Sequence, residues 1–416
     1  MTMGPRPGRL YYGWVILAAC VVISLLTTGV QSAFGVFLKT LQDDFGWTRA
    51  AVSLVPSLNL LVTCLCFPLA GWLSDTRGPR VVVAVGGLFC ALGLALASRL
   101  GAPWQLYVYY SVMVGIGVAF ATTPATATVT RWFERRRATV LGIVQTGTAL
   151  GTMGLAPLAG YVISAHGWRT AYVVISLLTC LIVAAALWLR QQPPDGLPPH
   201  ERAAGSRGPG AASFEEGGLS LGEAVRTRAF WLLFLMYALS YGTLMMTTGH
   251  LVARVEDAGF AEATAATCLT ALGAGNIVGF IGGGLLCDRL GRKPVMAVSL
   301  ALQAALLVWL ISAGSYWMFL AFAALWGVVL GGWAPLMPTI CGELFGLRRI
   351  GSIMGAVSMT YGVGGAIGLY GAGYVFTATG SYTAAYSVGV AALLVSAAIV
   401  LVLRPPKARS RESGPA

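Results

Sequence analysis

Residues 71–80 read Gly-Trp-Leu-Ser-Asp-Thr-Arg-Gly-Pro-Arg, and residues 284–293 read Gly-Leu-Leu-Cys-Asp-Arg-Leu-Gly-Arg-Lys. Both stretches place an aspartate four residues after a glycine, followed by a second glycine three residues later and then a basic residue. Pairs of arginines at 136–137 and 348–349 repeat at nearly the same offset. Two matches in register predict that the chain consists of a duplicated structural unit.

The duplicated stretches lie between long apolar segments. The chain has 416 residues, of which 57% are hydrophobic and 10% charged, whereas a soluble domain carries about 25% charged residues. Crossing a bilayer takes about 20 apolar residues, and only helices fit runs that lack the alternation of a membrane barrel. The sequence therefore predicts an all-α membrane protein with twelve transmembrane helices in two six-helix halves. The predicted spans are 12–38, 51–73, 81–98, 104–130, 138–160, 170–190, 229–252, 264–287, 294–312, 316–341, 349–375 and 382–403.

The basic residues predict the orientation of these helices. A net charge of +12 is compatible with a nucleic-acid partner, but most of the positive charge falls on one side of the predicted membrane. With a cytoplasmic N-terminus, only five of the 27 Lys and Arg residues lie outside, namely Lys39, Arg49, Arg99, Arg169 and Arg254. Such an excess is the rule for cytoplasmic loops. We therefore expect a multi-pass protein of the plasma (inner) membrane with both termini inside and no nucleic-acid partner.

One stretch near the middle of the chain differs in composition. Residues 191–218 are rich in proline, glycine, serine and charge, which is typical of a linker. The chain is thus predicted to comprise a six-helix half at 1–190, a cytoplasmic linker at 191–228 and a second half at 229–416. Residues 220–223 (Ser-Leu-Gly-Glu) match a capping box that begins a short interfacial helix. The alternative is a polar loop end that matches this pattern by chance.

The repeated Gly-x-x-x-Asp-x-x-Gly-x-Arg stretch resembles the signature of the major facilitator superfamily, and this resemblance covers the whole chain. A carboxylate at a helix end can pair with neighbouring arginines or with a helix N-terminus of the other half. We call the interface between the two halves the seam, and these pairs would lie at its cytoplasmic end. A basic topology anchor with a turn glycine is the simpler explanation for one such loop, but it explains two matched loops poorly. The predicted cytoplasmic gate consists of Asp75, Arg77, Arg80, Asp288, Arg289 and Arg292.

Within the superfamily, several segments look like the branch of monocarboxylate porters and oxalate/formate exchangers. They are Tyr-Tyr-Gly-Trp at 11–14, Ser-Ala-Phe-Gly-Val-Phe-Leu-Lys at 32–39, Arg-Trp-Phe-Glu-Arg-Arg-Arg at 131–137 and Gly-His-Leu-Val at 249–252. The resemblance implies a secondary active carrier of small organic acids that works by alternating access, with protons as the coupling ion.

The sequence departs from that branch inside helix 8. The carboxylate carriers of the branch typically place an arginine there, often with an aspartate one turn earlier, but this chain has Phe280 and Asn276 at those positions. The lysine of helix 11 in the oxalate exchanger likewise has no match near Tyr361. A charge inside the membrane usually marks an ion or proton path. Its absence leaves three possibilities open, that the substrate is neutral, zwitterionic or bound as the protonated acid.

Two residues at predicted outer helix ends are candidates for substrate or proton handling. Lys39 closes helix 1 and matches a lysine of the branch, so it can attract an anion or exchange a proton, or it can simply extend to the interface. His250 ends helix 7, and histidine is a residue type that can accept a proton, although a histidine at such a position is more often a helix cap.

Uncharged residues inside the predicted helices complete the candidate site. Asn276 is polar at a depth where polarity is costly unless it is satisfied, so it either binds substrate or makes an interhelical hydrogen bond. Asn59 and Gln145 have weaker claims of the same kind. Further candidates, which packing alone also explains, are Tyr241, Trp333 and Tyr361.

The sequence thus favours a secondary active transporter for a small, monocarboxylate-like organic acid, functional as a monomer. The alternative is an exporter of a neutral or amphipathic compound, such as a drug or natural product. A sensor without transport activity would require a sizeable soluble appendage, and the predicted tails and linker are short. No phosphate-binding loop, metal-ligand cluster or nucleophile motif is evident in the sequence, so neither an enzyme nor a cofactor is predicted.

Overall fold

The computed structural model describes residues 11–46, 49–191 and 218–404. Eleven of the helices in this part of the chain are long and apolar enough to cross a membrane. One of them, Arg137–Ala186, is interrupted at Gly167, whose φ of 80° and ψ of 163° are not helical. Its two arms are separate spans, so the described chain contains the twelve spans that the sequence predicts.

We label the spans in chain order. They are α1 (Gly13–Phe45), α2 (Arg49–Arg77), α3 (Pro79–Ala97), α4 (Pro103–Trp132), α5 (137–166), α6 (168–186), α7 (Arg228–Glu256), α8 (Glu262–Leu290), α9 (Arg292–Ser312), α10 (Tyr316–Phe345), α11 (Ile350–Thr379) and α12 (Thr383–Val402).

Several helices extend further than their apolar runs indicate, and two of these extensions bear on the candidate site. Helix α1 continues to Phe45 and ends at Gly46, which adopts a left-handed conformation with φ 63°, a common way to end a helix. Helix α7 continues to Glu256. Lys39 and His250, which were expected at helix ends, therefore lie inside helices. The expectation was wrong because polar residues at a membrane surface can extend a helix without extending its apolar run.

Three connections between adjacent spans consist of a single glycine. Gly78 joins α2 to α3 with φ 86° and ψ 154°, and Gly291 joins α8 to α9 with φ 89° and ψ 153°. Gly167 makes the same turn between α5 and α6. Only glycine adopts this backbone conformation readily. The second glycine of each duplicated stretch is thus required by a one-residue turn.

Two spans contain irregular segments. Helix α4 includes a π-helical stretch, Tyr107–Val114. Helix α10 is α-helical over Tyr316–Leu330, then continues through a 3-10 turn, Ala334–Leu336, into Met337–Phe345. Such departures from regular geometry often occur at functional sites.

The two halves pack their helices in equivalent ways. In the first half, α1 lies against α5, and Gly151 packs directly on the backbone of Leu25. In the second half, α7 lies against α11, where Gly368 packs on the backbone of Gly242. Both crossings use small residues that bring helix backbones together. The duplication inferred from the loops therefore extends to the packing of the spans.

The capping box ahead of α7 is formed as predicted. The Ser220 backbone N–H donates to Glu223 Oε2 at 2.8 Å, and the Glu223 N–H donates to Ser220 Oγ at 3.3 Å. These bonds begin the short helix Leu221–Val225. Most of the predicted linker, at 192–217, lies outside the described residues.

Candidate functional site

The halves meet where Asp75, at the end of α2, reaches the start of α11. The Asp75 carboxylate accepts hydrogen bonds from the N–H of Gly351 at 3.1 Å and from the N–H and Oγ of Ser352 at 2.8 and 2.7 Å. A helix N-terminus has unpaired N–H groups and a positive dipole end, so it binds a carboxylate well. Asp75 is fully buried in this contact.

Asp288, at the end of α8, makes the equivalent contact with the start of α5. Its carboxylate accepts from the N–H of Ala138 at 3.2 Å and from the N–H and Oγ1 of Thr139 at 2.9 and 2.7 Å. Each half thus places one carboxylate on a helix N-terminus of the other. We call the end of the bundle that holds both contacts the basic end, because the repeated arginines lie there.

The two contacts differ in one charge. Arg131, from the end of α4, donates to Asp75 Oδ1 at 2.7 Å and also donates to the Leu347 carbonyl at 3.4 Å. Its side chain is only 3% exposed. Among the described residues, no lysine or arginine lies within ion-pair distance of Asp288. The two carboxylates therefore have different electrostatic environments.

The arginines predicted to complete the gate do not bind these carboxylates. Arg292 pairs with Glu343 of α10. The other three are exposed and have no hydrogen bond or ion pair within the described part of the chain, namely Arg77, Arg80 and Arg289. Three residues that contact the carboxylates were not among the predicted gate residues, namely Arg131, Thr139 and Ser352. Thr139 and Ser352 follow the duplicated arginine pairs by two and three residues, so that repeat contained a signal for them.

Glycines bring the helices into backbone contact at the same end. A Cβ atom at Gly71 of α2 would overlap the Gly351 backbone of α11, and one at Gly355 of α11 would overlap the Phe67 carbonyl. On the other side of the bundle, Gly142 of α5 packs on the Phe280 carbonyl of α8. With the two carboxylate contacts, these crossings close the seam between the halves at the basic end.

An aromatic cluster lies further along the α2–α11 crossing. The ring of Tyr361 on α11 packs edge-on against Tyr241 of α7, with centroids 4.0 Å apart, and against Phe67 of α2 at 6.1 Å. Both tyrosines are partly exposed. Tyr361 therefore contacts residues of both halves.

Trp333 supports this cluster from behind. It is fully buried, its ring lies 5.2 Å from that of Tyr241, and its indole N–H donates to Gln303 Oε1 at 2.8 Å. The irregular segment of α10 positions this side chain. Trp333 thus fixes Tyr241 from within the second half and does not itself face the seam.

The positions that lack the family charges lie at the α5–α8 crossing. Phe280 is 5% exposed and packs where Gly142 meets α8. Asn276 lies one helical turn before it and Gln145 about one turn after Gly142, so both face the seam further from the basic end. The Asn276 Oδ1 atom is buried without a hydrogen-bond partner among the described residues. Gln145 is half-buried, and its amide has no hydrogen bond there either.

The side-chain amide of Asn59 is hydrogen-bonded within the first half. Its Oδ1 accepts from Gln31 Nε2 at 3.0 Å, and its Nδ2 donates to the Tyr110 carbonyl at 3.0 Å. Its side chain is 3% exposed. These contacts connect α1, α2 and α4, so the amide has a structural partner on each side.

His250 has a partner on both ring nitrogens. Nε2 lies 3.1 Å from the Leu369 carbonyl, and Nδ1 lies 3.2 Å from the Tyr382 hydroxyl. The carbonyl only accepts, so Nε2 carries a proton and Nδ1 of the neutral ring accepts from Tyr382. His250 thereby links α7, α11 and the start of α12. Lys39 lies within α1, and its side chain is outside the described part of the structure.

Comparisons with known proteins agree with this architecture. The sequence profile described as Major Facilitator Superfamily matches residues 20–286 and 233–416. The fold is similar to that of FucP in the outward conformation, with a TM-score of 0.75, 18% identity and coverage of 95% of this chain and 100% of that one. It is also similar to the proton:xylose symporter XylE, with a TM-score of 0.71, 12% identity and coverage of 94% of each chain. The chain belongs to the Major Facilitator Superfamily and is a transporter, not an enzyme.

Its curated relatives place it in one branch of that superfamily. Rat monocarboxylate transporter 13 is 31% identical over 397 residues, which cover 94% of this chain and 89% of the relative. Mouse monocarboxylate transporter 11 is 29% identical, with 92% and 85% covered. The chain is thus a transporter of the monocarboxylate branch, as the segments around helices 1, 5 and 7 predict.

Proposed function

We propose that the protein carries a small, monocarboxylate-like organic acid across the plasma membrane by alternating access, together with a proton. The observation that carries this proposal is the 31% identity to a monocarboxylate transporter over nearly the whole chain. The seam supports the alternating-access part. Contacts that close the basic end are hydrogen bonds and backbone crossings, which can separate without breaking the packing of either half.

The proposed orientation places the basic end and both termini in the cytoplasm. The arginine-rich connections between α2 and α3, α4 and α5, and α10 and α11 all lie at this end, as expected for cytoplasmic loops. In this orientation the described conformation is closed to the cytoplasm. We further propose that one chain forms a complete transporter, because each half supplies one side of the seam.

The uncharged middle of the seam favours an acid that crosses in its protonated form. Around the crossing, the groups able to hydrogen-bond a ligand are neutral, namely Tyr241, Tyr361, Gln145 and Asn276. A carboxylate without a cation partner would be costly at that depth. An acid that takes up its proton at the outer mouth would enter as a neutral molecule, and its transport would then be coupled to the proton gradient.

Uptake into proteoliposomes tests the proposal. Labelled lactate, pyruvate, oxalate and formate are offered with and without an inward proton gradient, and protein-free liposomes give the background. We expect saturable uptake of at least one monocarboxylate that the gradient accelerates. Gly71→Val is a matched control. It leaves all candidate substrate-binding residues unchanged, but its added side chain prevents α2 and α11 from making their close crossing. No uptake of any acid by folded protein would refute the carboxylate part.

A second candidate function is export of a neutral or amphipathic compound. It is favoured by Phe280 and Asn276, which stand where the branch carries its ionisable pair. A strain lacking the protein would then become more susceptible to a transported compound, and Gly71→Val would fail to complement it. Unchanged susceptibility across a broad compound panel, together with acid uptake in liposomes, would exclude this alternative.

A further inference from the structure

The second half has an apolar groove on its outer surface. The groove lies between α8, α9 and α10, has a volume of about 350 Å³, and is within the size range of small-molecule pockets. Val278 and Leu286 of α8 line it and are 62% and 46% exposed. They lie on the opposite side of α8 from Phe280, so the groove faces the lipid and not the seam between the halves.

Glycines create the groove. Gly279 and Gly283 allow α8 to touch the backbone of α10, at Val328 and Gly331, and this contact forms the floor. Gly282 lies beside them, and a Cβ atom there would meet nothing within 4 Å. The space above Gly282 is therefore left unfilled by the protein itself.

The hydroxyl of a buried residue lines the same space. Ser299 of α9 is 7% exposed, is one of the lining residues, and has no hydrogen-bond partner among the described residues. A serine inside a helix ordinarily donates to a carbonyl one turn earlier, but within the described part of the chain the Ser299 hydroxyl makes no such bond and lines the groove. A polar acceptor entering the groove would satisfy this hydroxyl.

A free cation stands where the groove reaches the basic end. Arg289 lies one turn after Leu286 on the same side of α8, is exposed, and has no ion pair or hydrogen bond in the described structure. Its neighbours are occupied, because Arg292 pairs with Glu343 and Lys293 donates to the Leu403 carbonyl at 2.5 Å. Arg289 is thus available to an anion at the membrane surface.

We propose that this groove is a binding site for a bilayer phospholipid with an anionic headgroup. One acyl chain lies along Gly282 and Val278, the Ser299 hydroxyl donates to an ester carbonyl, and the phosphate binds Arg289. Ser299 lies about 10 Å along α9 from its first residue, since a helix rises about 1.5 Å per residue. Apolar space, a hydroxyl below the surface and a cation at the surface match the order of groups in a phospholipid.

The test is native mass spectrometry of the full chain titrated with palmitoyl-oleoyl phosphatidylglycerol or phosphatidylcholine. We expect tighter binding of phosphatidylglycerol. Arg289→Gln should weaken it about fivefold, because one basic residue near the surface attracts an anionic lipid by about that factor. Gly282→Leu should weaken both lipids, since the added side chain fills the groove. Val298→Phe narrows the groove from α9 and replaces Gly282→Leu if that variant does not fold.

Two controls keep the charge and bulk changes matched. Arg228→Gln removes an exposed cation at the start of α7, and Ala391→Leu places a leucine side chain on the exposed surface of α12. Neither should alter the binding of either lipid. Equal binding of the two lipids, or equal effects of the control variants, would overturn the proposal. So would a loss caused by Arg289→Gln without any loss from either groove-filling variant.

Discussion

Asp75 and Asp288 bind across the seam in opposite directions through the same set of hydrogen bonds. Each carboxylate accepts two backbone N–H groups and one side-chain hydroxyl from the first turn of a helix in the other half. The difference between them is Arg131, which pairs with Asp75. This asymmetry makes a prediction about what each carboxylate contributes.

Asp75→Asn should destabilise the closed basic end more than Asp288→Asn does. The first change leaves Arg131 buried without its counter-ion, and breaking a buried ion pair costs about 3–5 kcal/mol. Both changes weaken the same set of three hydrogen bonds to a carboxylate, and only the change at Asp75 also leaves a buried cation unpaired. Spin-label distances across the seam and thermal unfolding would measure both effects.

The Arg131→Met, Asp75→Asn double variant is the control for that comparison. It removes both charges, so it should recover part of the stability that Asp75→Asn loses. Equal losses from Asp75→Asn and Asp288→Asn, with no recovery in the double variant, would show that Arg131 contributes no differential stabilisation.

Gly71→Ala should impair transport, whereas Gly154→Ala should not. A methyl group at Gly71 meets the Gly351 backbone and would hold α2 and α11 apart, and overpacking of this kind costs about 1–3 kcal/mol. A Cβ atom at Gly154 meets nothing within 4 Å, so alanine there should be neutral or slightly stabilising. Initial uptake rates of the two variants provide the measurement, and equal rates would contradict the tight crossing.

The sequence predicted the twelve spans and the repeat because both depend on local patterns, apolar length and loop motifs. It predicted Asp75 and Asp288 for the same reason. It did not predict that Arg131 pairs with Asp75 and not with Asp288. The pair joins the ends of α2 and α4, which are far apart in the sequence. The burial of Trp333 behind Tyr241 was likewise not evident, since the sequence does not distinguish an aromatic residue that lines a cavity from one that packs in the core.

Tyr361→Phe should raise the KM for substrate severalfold while lowering the melting temperature only slightly. The ring contacts with Tyr241 and Phe67 remain. The change removes the hydroxyl, which lies 3.8 Å from Met337 Sδ and also hydrogen-bonds with the side chains of Tyr241 and Ser358. Loss of one hydrogen bond to a ligand corresponds to about 0.5–1.5 kcal/mol. Tyr370→Phe on the same helix is the matched control, since that side chain is 78% exposed to the surroundings. An unchanged KM for Tyr361→Phe would remove this hydroxyl from the proposed site.

His250→Phe should lower stability without changing the pH dependence of transport. Phenylalanine keeps the ring packing against Tyr382, with centroids 5.2 Å apart, but loses the bonds to Leu369 and Tyr382, at about 1 kcal/mol each. Lys39→Gln should instead flatten the pH profile, because Lys39 is the remaining candidate for proton exchange under the proposed function. A flattened profile in His250→Phe would reverse this assignment.

The one-residue turns at Gly78 and Gly291 have a mechanical consequence. A connection of one residue has no slack, so the tilt of α8 sets the position of the first residue of α9, and α2 constrains α3 in the same way. Asp288 lies three residues before its turn, so its release from α5 displaces α8 and α9 as a single lever. The helices of each half therefore cannot all move independently. Each duplicated stretch both holds the two halves together and couples the movement of two adjacent helices.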